Sequence, residues 1–304
     1  MGRSEKLRIA VTGRTGQVTS SLQELIARDP SSECVILARP TLDLADVASA
    51  ETAIASAKPD IVISAAAYTE VDKAESEPEL AYRVNALGPA ALAAACYAAA
   101  VPIVHLSTDY VFSGRKPEGA YDERDDVGPV SVYGSSKLAG ELLVAAANPR
   151  HVILRTAWVY SAFGRNFLKT MLRLAADRDE VRVVADQWGN PTSAHDIAAG
   201  LLLVARSVAL KGRDDCFGTY HLGGTGKTNW SGFAREIFAA SRAADGPFAT
   251  VVDIASSEFP SPVKRPPNSR LESRKFTDVF GWAMPAWQDS TKSVVTELLR
   301  DRSK

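Results

Sequence analysis

The chain has 304 residues, of which 46% are hydrophobic and 23% are charged, and its formal net charge is −1. This length and composition predict a globular protein with a substantial core, and the balanced charge argues against a nucleic-acid partner or an anionic membrane surface. The three cysteines are widely spaced and form no metal-binding pattern, which indicates a reducing compartment.

Strands and helices alternate through the first half of the sequence. The charged N-terminus leads straight into a strand and is not a signal peptide, which predicts a cytoplasmic protein. The longest apolar run, residues 90–106, is broken by Pro102 and predicts a helix and a buried strand rather than a membrane span. The predicted strands are 7–12, 34–38, 61–64, 103–107 and 152–156, and the predicted helices are 17–28, 47–57, 79–100 and 133–146.

This alternation favours parallel pairing, so we predict a Rossmann-type, doubly wound α/β sheet. The second half is less regular, with predicted helices at 166–176, 196–207 and 230–244 and a short strand at 219–222. Residues 259–270 hold four of the 16 prolines and are predicted to form a loop.

A glycine-rich turn follows the first strand. Glycine permits positive φ and lets the backbone approach a pyrophosphate, and the N–H groups of the next helix face the anion. Thr19 stands where a third glycine is usual, which predicts a slightly displaced helix rather than lost binding. The residues of this turn that we predict to bind a dinucleotide are Gly13, Thr15, Gly16, Gln17 and Val18.

The end of the second strand bears on the choice between the two nicotinamide cofactors. An acidic residue there usually binds the ribose hydroxyls of NAD, whereas this sequence has Arg39, whose guanidinium suits a 2′-phosphate. Arg14 offers a second phosphate contact, and the alternative is that Arg39 is a solvated surface residue. We therefore predict NADPH as the cofactor, with NADH accepted more weakly.

Tyr133 and Lys137 are four residues apart, so their side chains lie on one helix face, one turn apart. An ammonium group near a phenol favours the phenolate and lowers a pKa that starts near ~10. Such a tyrosine donates or accepts a proton near neutral pH. The spacing also arises by chance, but here the glycine turn and Thr108, at the end of an apolar run, accompany it.

Taken together, several stretches resemble one family. The glycine turn, the run from Leu106 to Tyr110, and the pair Tyr133 and Lys137 resemble, in this order, the extended short-chain dehydrogenase/reductases. Further stretches are similar to dTDP-4-dehydrorhamnose reductases, and the resemblance extends from about residue 9 to about residue 299. These stretches are residues 64–75, 107–112, 155–160 and 265–271.

The resemblance implies three catalytic residues. Tyr133 would give a proton to the developing alkoxide, Thr108 would share the carbonyl oxygen, and Lys137 would lower the pKa of Tyr133 and bond the nicotinamide ribose. Tyr133 and Lys137 thereby also contact the cofactor. Further cofactor contacts implied by the resemblance are the adenine-binding pair Asp43 and Leu44, and the residues after the third strand, Ala65, Ala66 and Tyr68.

The substrate site is predicted where the strands end, because ligands bind there in open α/β sheets. Trp158 either stacks on the sugar or base, or belongs to the core. Arg265 and Arg270 offer planar guanidinium groups suited to a diphosphate. The predicted substrate-binding residues are Thr69, Val71, Asp72, Thr108, Asp109, Trp158, Asn190, Arg265 and Arg270.

The resemblance implies a dinucleotide-binding domain over residues 1–160, rejoined by about 190–222, and a smaller α+β substrate-binding domain over 161–304. It implies an NADPH-dependent oxidoreductase that reduces dTDP-4-dehydrorhamnose to dTDP-L-rhamnose for cell-surface polysaccharide. The alternatives are a reductase of another nucleotide 4-keto-6-deoxy sugar and a non-catalytic regulatory subunit of the same fold. We expect a nucleotide-sugar substrate, no nucleic-acid or membrane partner, and a monomer or weak homodimer.

No metal is predicted. Some members of the family hold Mg²⁺ among glutamates at a dimer interface, and the positions aligned by eye here are Ser21, His195 and Glu297. Only one of them is a carboxylate, whereas Mg²⁺ relies on carboxylate oxygens. The four histidines show no ligand spacing and are interpreted as structural or surface residues: His105, His151, His195 and His221.

Overall fold

A computed structural model describes residues 6–210, 213–259 and 262–302, with side chains described as far as residue 300. Strands and helices alternate through the first 160 residues. In chain order they are β1 (Leu7–Thr12), α1 (Gln17–Ala27), β2 (Ser32–Leu37), α2 (Ser49–Ala57), β3 (Ile61–Ser64), α3 (Val71–Ala74), α4 (Pro78–Tyr82), α5 (Gly88–Ala98), β4 (Ile103–Thr108), α6 (Val132–Ala147), β5 (His151–Thr156) and β6 (Val159–Tyr160).

The second half has longer helices and shorter strands. These elements are α7 (Phe167–Leu174), β7 (Glu180–Val184), β8 (Trp188–Gly189), β9 (Thr192–Ser193), α8 (Ala194–Ala209), β10 (Gly218–His221), β11 (Thr228–Asn229), α9 (Trp230–Ala243), β12 (Thr250–Ile254), α10 (Arg274–Phe280) and α11 (Trp287–Arg302). Among the described residues, no helix is long and apolar enough to cross a membrane.

Six parallel strands form the central sheet in the order β10-β5-β4-β3-β1-β2. The chain proceeds outward from β1 in both directions, so the predicted doubly wound α/β fold is confirmed. Every residue of β3 and β4 is buried, as expected for a sheet covered on both faces. The carboxyl ends of the strands meet at one edge, which is where ligands bind in such sheets.

Successive residues of β1 face opposite layers of the molecule. Ile9 and Val11 pack with α1, α8 and α10, whereas Ala10 packs with α2 and α5 on the other face. This alternation follows from the two-residue period of a strand. A third core lies among α7, α9 and α11, against the parallel pair β7 and β12, two strands that our sequence analysis did not predict.

Residues of the second half return to the central sheet. β10 pairs with β5 at one edge, and α8 packs beside α1 in the same core cluster. This return agrees with the expected contribution of residues 190–222 to the cofactor-binding half. The division into two domains stays a prediction.

The predicted helix over residues 79–100 is interrupted by a π-helical segment, Arg83–Leu87. Pro89 lacks the N–H group that would bond the carbonyl oxygen of Asn85 in an α-helix, so the ladder changes there. Helix α6 passes close to this point, and a Cβ at Gly140 would collide with the same carbonyl oxygen. The interruption thus accompanies the tight packing of α6, the helix that carries Tyr133 and Lys137.

Candidate active site

The turn between β1 and α1 has the backbone geometry of a phosphate-binding loop. Gly13 has a φ of 93°, which side chains rarely allow, and a Cβ there would lie 3.3 Å from the Cβ of Ala66. Gly16 is the residue preceding α1 and supplies no capping side chain, while Thr15 beside it is exposed. The first N–H groups of α1, from Gln17 and Val18 onward, therefore face the position of an anion.

Thr19 replaces the usual third glycine without leaving its buried hydroxyl unpaired. The hydroxyl donates to the carbonyl oxygen of Thr12 at 3.2 Å and so ties α1 to β1. The side-chain oxygen of Gln17 accepts hydrogen bonds from Ser161 Oγ and Asn166 Nδ2, both at 2.9 Å. Both ends of this first turn are thus fixed, and the predicted displacement of α1 stays a prediction.

Two exposed arginines flank the end of β2. Arg14 Nη2 donates to the carbonyl oxygen of Arg39 at 3.4 Å, which brings the two residues together across the glycine turn. The loop after β2 is closed locally, since Asp43 Oδ1 accepts from the N–H of Ala45 at 3.0 Å and Leu44 is buried. The structure therefore places two guanidinium-bearing residues where a 2′-phosphate is predicted.

The backbone after β3 is held against the glycine turn. The N–H groups of Ala65 and Ala66 both donate to Thr12 Oγ1 at 2.9 Å. Because the side chains of Ala65 and Ala66 are small, they leave room for a cofactor lying along the ends of β1 and β3. Their contact with the cofactor stays a prediction.

Tyr68 is fixed by its side chain and its backbone. Its hydroxyl donates to Glu77 Oε2 at 2.8 Å, and its N–H donates to Asn85 Oδ1 at 2.8 Å. The amide nitrogen of Asn85 donates back to the carbonyl oxygen of Tyr68 at 3.1 Å and to Ser136 Oγ at 3.0 Å. Asn85 thus connects this loop to α6, next to Lys137.

Two predicted substrate residues that are far apart in sequence meet beyond this loop. Asp72 Oδ2 lies 3.6 Å from Arg265 Nη2, and both side chains are partly exposed. Thr69 is exposed and Val71 is half-buried on the same segment. These four residues therefore line the open side of the sheet edge.

The position of helix α6 is set by its N-terminal cap and by the close packing of Gly134 and Gly140. Ser131 caps the helix, because its hydroxyl accepts from the N–H of Gly134 at 3.1 Å. A Cβ at Gly134 would collide with the carbonyl oxygen of Tyr110. This close approach sets Tyr133 beside the end of β4, with its ring edge-on to Tyr110 at 5.5 Å between centroids.

Tyr133 is a protonated phenol at neutral pH. Burial and the charge of Asp109 raise its pKa above the usual 10.0, and a hydrogen bond with Thr108 only partly offsets this. Lys137 is not among the groups that act on this pKa here, so its expected effect on the phenol stays a prediction. A protonated phenol is the form that donates a proton to an alkoxide.

Lys137 is almost completely buried, with 3% of its surface exposed. Its Nζ donates to the carbonyl oxygen of Leu106 at 2.7 Å. Burial lowers the pKa of the amine from 10.5 to about 8, although the charge of Glu141 on the same helix raises it. Lys137 therefore titrates close to the neutral range.

Thr108 is the last residue of β4, and Asp109 follows it. Thr108 Oγ1 donates to Asp109 Oδ1 at 3.0 Å and accepts from the N–H of Tyr110 at 3.2 Å. Burial raises the pKa of Asp109 to about 6, against the opposing hydrogen bonds from Ser269 and Thr108. Thr108, Asp109 and Tyr133 thus form one connected polar group.

Trp158 lies in an aromatic stack. Its ring is parallel to the ring of Trp230 within 10°, with centroids 3.6 Å apart, and its φ is 48°. A Cβ at Gly189 would collide with the same indole, so the Trp158 ring packs against the backbone of Gly189 as well as against Trp230. The contact with substrate predicted for Trp158 stays a prediction, and the structure gives it the core contacts of the alternative.

The side chain of Asn190 is hydrogen-bonded to the backbone of two other segments. Its amide nitrogen donates to the carbonyl oxygens of Gly224, at 3.2 Å, and Gly226, and its oxygen accepts from the N–H of Leu271 at 2.8 Å. Both amide donors and the oxygen bond to backbone, and the predicted substrate contact stays a prediction. Asn190 also orders the segment that carries Arg270, whose side chain is half-buried.

Buried polar atoms without partners gather at one edge of the sheet. Among the described residues, seven buried side-chain polar atoms have no hydrogen-bond partner, and five of them lie at the carboxyl ends of β4, β5 and β10. Such atoms in native proteins usually bond to water or to a ligand. The five atoms are Ser107 Oγ, Asp109 Oδ2, Arg155 Nη1, Thr156 Oγ1 and His221 Nε2.

A separate cluster is formed by Glu24, His195 and Glu297, whose ligand atoms lie within 4.8 Å of one another. Ser21, the first position aligned by eye, is not part of this cluster, because it is fully buried and donates to the carbonyl oxygen of Gln17. The cluster therefore holds two carboxylates rather than one. The imidazole still fits Mg²⁺ poorly, since this hard cation takes oxygen ligands, and no metal is assigned.

Known proteins resemble this chain over nearly its whole length. The family described as RmlD substrate binding domain matches residues 7–300. A dTDP-4-dehydrorhamnose reductase of Sinorhizobium fredii is 49% identical over 293 residues, which cover 96% of this chain and 98% of that protein. The chain belongs to the dTDP-4-dehydrorhamnose reductase family.

Other members of the dTDP-4-dehydrorhamnose reductase family match over the same length. The Escherichia coli K12 protein is 40% identical over 299 residues, covering 96% of this chain and 98% of that protein. The crystal structure of the Bacillus anthracis reductase in complex with NADP has a TM-score of 0.88 at 34% identity, covering 96% of this chain and 99% of that one. A UDP-glucose 4-epimerase of Brucella ovis, 19% identical with a TM-score of 0.76, shares the fold alone. The predicted membership of the family is confirmed.

Sequence analysis of this member of the dTDP-4-dehydrorhamnose reductase family did not identify three buried polar residues that lie on the helix of Lys137 or contact it. His105 was interpreted as structural or surface, yet its imidazole lies beside Lys137. Arg155 and Glu141 form a buried ion pair behind the same helix. The available signal was a histidine inside the otherwise apolar run 103–106 of β4, which does not by itself point to Lys137.

Proposed function

We propose that this protein is an NADPH-dependent oxidoreductase that reduces the 4-keto group of dTDP-4-dehydrorhamnose and forms dTDP-L-rhamnose. One observation carries the proposal. Thr108, Tyr133 and Lys137 lie close to the carboxyl end of β4, in a chain that matches reductases of this name over 96% of its length. Cell-surface polysaccharide synthesis is the process that such a product serves.

The residues present fit NADPH. The glycine turn and the first N–H groups of α1 suit its pyrophosphate, Arg39 and Arg14 suit its 2′-phosphate, and a solved relative of this family is in complex with NADP. The nicotinamide supplies the hydride when it is bound. Asp43 and Leu44 stand at the predicted adenine site, beside the end of β2.

Residues of the chain supply the proton for the alkoxide oxygen and stabilise the negative charge that develops during the reduction. Tyr133 holds its proton at neutral pH and gives it to the alkoxide oxygen, with Thr108 as a second hydrogen-bond donor to that oxygen. The phenolate that remains is stabilised by the ammonium of Lys137, one helix turn away. General acid catalysis of this kind accelerates a reaction roughly 10²–10⁴-fold.

The nucleotide diphosphate lies on the open side of the site. Arg265 is partly exposed and its pairing with Asp72 spans 3.6 Å, so a phosphate can replace that carboxylate at little cost. Arg270 follows on the segment that Asn190 holds in place. The alternative is a reductase of another nucleotide 4-keto-6-deoxy sugar, which uses the same residues.

A non-catalytic binding subunit is the second class of function. Such a subunit needs no proton donor, whereas this chain keeps Tyr133 protonated and next to Thr108. The enzyme proposal therefore accounts for more of the geometry. We expect a cytoplasmic protein that has no nucleic-acid partner and acts as a monomer or weak homodimer.

The proposal is tested by mixing the protein with NADPH and dTDP-4-dehydrorhamnose. The expected result is loss of the NADPH absorbance and appearance of dTDP-L-rhamnose by NMR. A parallel reaction with another nucleotide 4-keto-6-deoxy sugar measures the choice of substrate. Binding of NADPH without oxidation in the presence of either sugar would support the regulatory subunit instead.

A further inference from the structure

A polar chain runs through the core beneath the site and connects Ser64 to Lys137 through His105. Ser64 and His105 are paired residues on the neighbouring strands β3 and β4, and both are buried. His105 Nδ1 lies 3.1 Å from Ser64 Oγ, and His105 Nε2 lies 3.5 Å from Lys137 Nζ. The second distance is at the outer limit of hydrogen bonding, and such contacts often shorten when the reactants bind.

The chemistry of the three groups determines the direction of each bond. Burial and the neighbouring Lys137 lower the pKa of His105 well below 6.5, so its imidazole is neutral, with one donor and one acceptor nitrogen. A lysine ammonium only donates, so Nε2 is the acceptor that faces it. The proton then resides on Nδ1 and is donated to Ser64 Oγ, which selects this tautomer.

Lys137 has few other ways to satisfy its charge. Its described acceptors are the carbonyl oxygen of Leu106, at 2.7 Å, and His105 Nε2, both on β4. The charge of Glu141 also acts on it, although Glu141 is paired with Arg155 of β5. Among the described residues of α3, α4, α5 and the π-helical segment, no titratable group acts on this amine, and Asp109 and Tyr110 act on Tyr133 instead.

We propose that His105 is a positioning residue for the reduction, which accepts a hydrogen bond from Lys137 and keeps the ammonium charged and aimed at Tyr133, with Ser64 selecting the tautomer. This inference rests on the proposed function, because it assigns a role through Lys137. In this role His105 acts through Lys137 and contacts neither the cofactor nor the substrate.

The sign of the expected effect follows from the acceptor. A group that accepts from the ammonium stabilises the charged form, so its removal lowers the pKa of Lys137 further. The amine then becomes neutral at a lower pH, and the phenolate that forms on Tyr133 loses its countercharge. The alkaline limb of the kcat profile for reduction should therefore move to lower pH, by roughly one unit, which is a tenfold change in the ratio of charged to neutral amine.

The test uses the full chain with NADPH and the 4-keto sugar. His105→Leu removes the acceptor and keeps an apolar side chain, and His105→Gln returns an acceptor near the position of Nε2. His221→Leu is the matched control, because His221 is also a buried histidine at the end of a sheet strand but has no described contact with Lys137. The readouts are kcat against pH, NADPH affinity by fluorescence, and the unfolding temperature.

His105→Leu is expected to lose about tenfold in kcat at pH 8 and to show the shifted limb, while NADPH affinity changes less than kcat. His105→Gln should bring the limb back toward that of the unaltered protein. His221→Leu should lower the unfolding temperature without moving the limb. A His105→Leu profile that is reduced by one factor at every pH, with the limb unmoved, would show a purely structural role and overturn the inference.

Ser64→Ala keeps the inference testable if His105→Leu does not fold. It leaves the imidazole in place and removes only the partner of Nδ1, so a smaller shift in the same direction is expected, and no shift would contradict the inference. The proposed function has its own control in Tyr133→Phe. If Tyr133→Phe is inactive and the variants at positions 64 and 105 keep the original limb, only the role of His105 fails.

Discussion

Arg155 Nη2 lies 2.7 Å from Glu141 Oε2, and the two side chains are only 8% and 4% exposed. Arg155 Nε also donates to both oxygens of the carboxylate, at 3.0 and 3.2 Å, so the pair is bidentate. Glu141 lies one helix turn after Lys137 on α6, and Arg155 lies on β5. This pair therefore joins the helix that carries Tyr133 to strand β5 of the central sheet.

Breaking this pair should strongly destabilise the protein. Glu141→Gln leaves the guanidinium of Arg155 buried without a countercharge, which costs about 3–5 kcal/mol in the free energy of unfolding. Glu258→Gln is the control, because its partner Arg182 is exposed and such pairs contribute about 0–1 kcal/mol. Urea unfolding measures both variants, and equal losses would contradict the structural role of the buried pair.

Tyr133→Phe should abolish most turnover and leave NADPH binding near that of the unaltered protein. The proton is needed only in the transition state, whereas the ring packs in both states. The expected loss in kcat is roughly 10²–10⁴-fold. Tyr160→Phe removes the hydroxyl of a buried tyrosine bonded to Thr291 and should affect stability alone. Activity above about a tenth in Tyr133→Phe would exclude the proton-donor role.

Arg39→Ala should reduce the preference for NADPH over NADH by about ten- to a hundredfold. A charge-assisted pair with a phosphate contributes about 1.5–3 kcal/mol, and only NADPH carries the 2′-phosphate. Affinities for both cofactors are measured by fluorescence titration, with Arg14→Ala in parallel. An equal loss for both cofactors would remove Arg39 from the phosphate site and make Arg14 the next candidate.

Asp109→Asn should stabilise the folded protein at pH 7 more than at pH 4. The pKa of Asp109 is raised from 3.8 to about 6, so the folded state binds more protons than the unfolded state between these values. The associated stability is complete below about 3.8 and is lost as pH rises through about 6. A shift of this size corresponds to about 3 kcal/mol, which Asp109→Asn should recover in part.

Urea unfolding of Asp109→Asn at the two pH values measures this effect. Exposed Asp126→Asn controls for the loss of one negative charge. If Asp109→Asn is less stable than the unaltered protein at pH 7, the carboxylate is not the destabilised group that its burial implies. Turnover is expected to fall in the same variant, because Asp109 accepts from Thr108.

Mg²⁺ and chelators should leave the association state unchanged. His195 stands between the carboxylates of Glu24 and Glu297, and an imidazole is a poor ligand for this cation. Sedimentation with Mg²⁺ and with EDTA measures the effect, and His195→Glu, which supplies a third carboxylate, is the informative variant. A dimer of the unaltered protein that dissociates on chelation would contradict the prediction.

The local structure of the candidate site could be predicted from short stretches of sequence. The turn from Gly13 to Val18 and the pair Tyr133 and Lys137 each belong to one local element, whose geometry follows from glycine conformation and helix period. The contact between Asp72 and Arg265 was different. The sequence marked both as substrate residues, but only the folding of the 265–270 segment onto the sheet edge shows that they meet.

Long-range packing decided features of the site that the sequence did not show. The pKa of Tyr133 was expected to fall because of Lys137 on the same helix face, whereas burial of the phenol raises it. Ser21 was aligned by eye with a carboxylate position, whereas the side chain that reaches His195 belongs to Glu24, one turn later. Asn190 was predicted to contact the substrate, and its side chain also bonds to the backbone of two segments that are distant in sequence.

The sequence by itself determined the doubly wound sheet, the glycine turn before α1 and the family. Each of these depends on local hydrophobic periodicity or on short sequence motifs. Only the tertiary structure decided the protonation of the site and the partners behind it. Those depend on which groups are desolvated together, such as Ser64, His105 and Lys137, which lie on three different elements. Burial and hydrogen bonding shift a pKa only when folding brings such residues together, and their spacing along the sequence does not predict that contact.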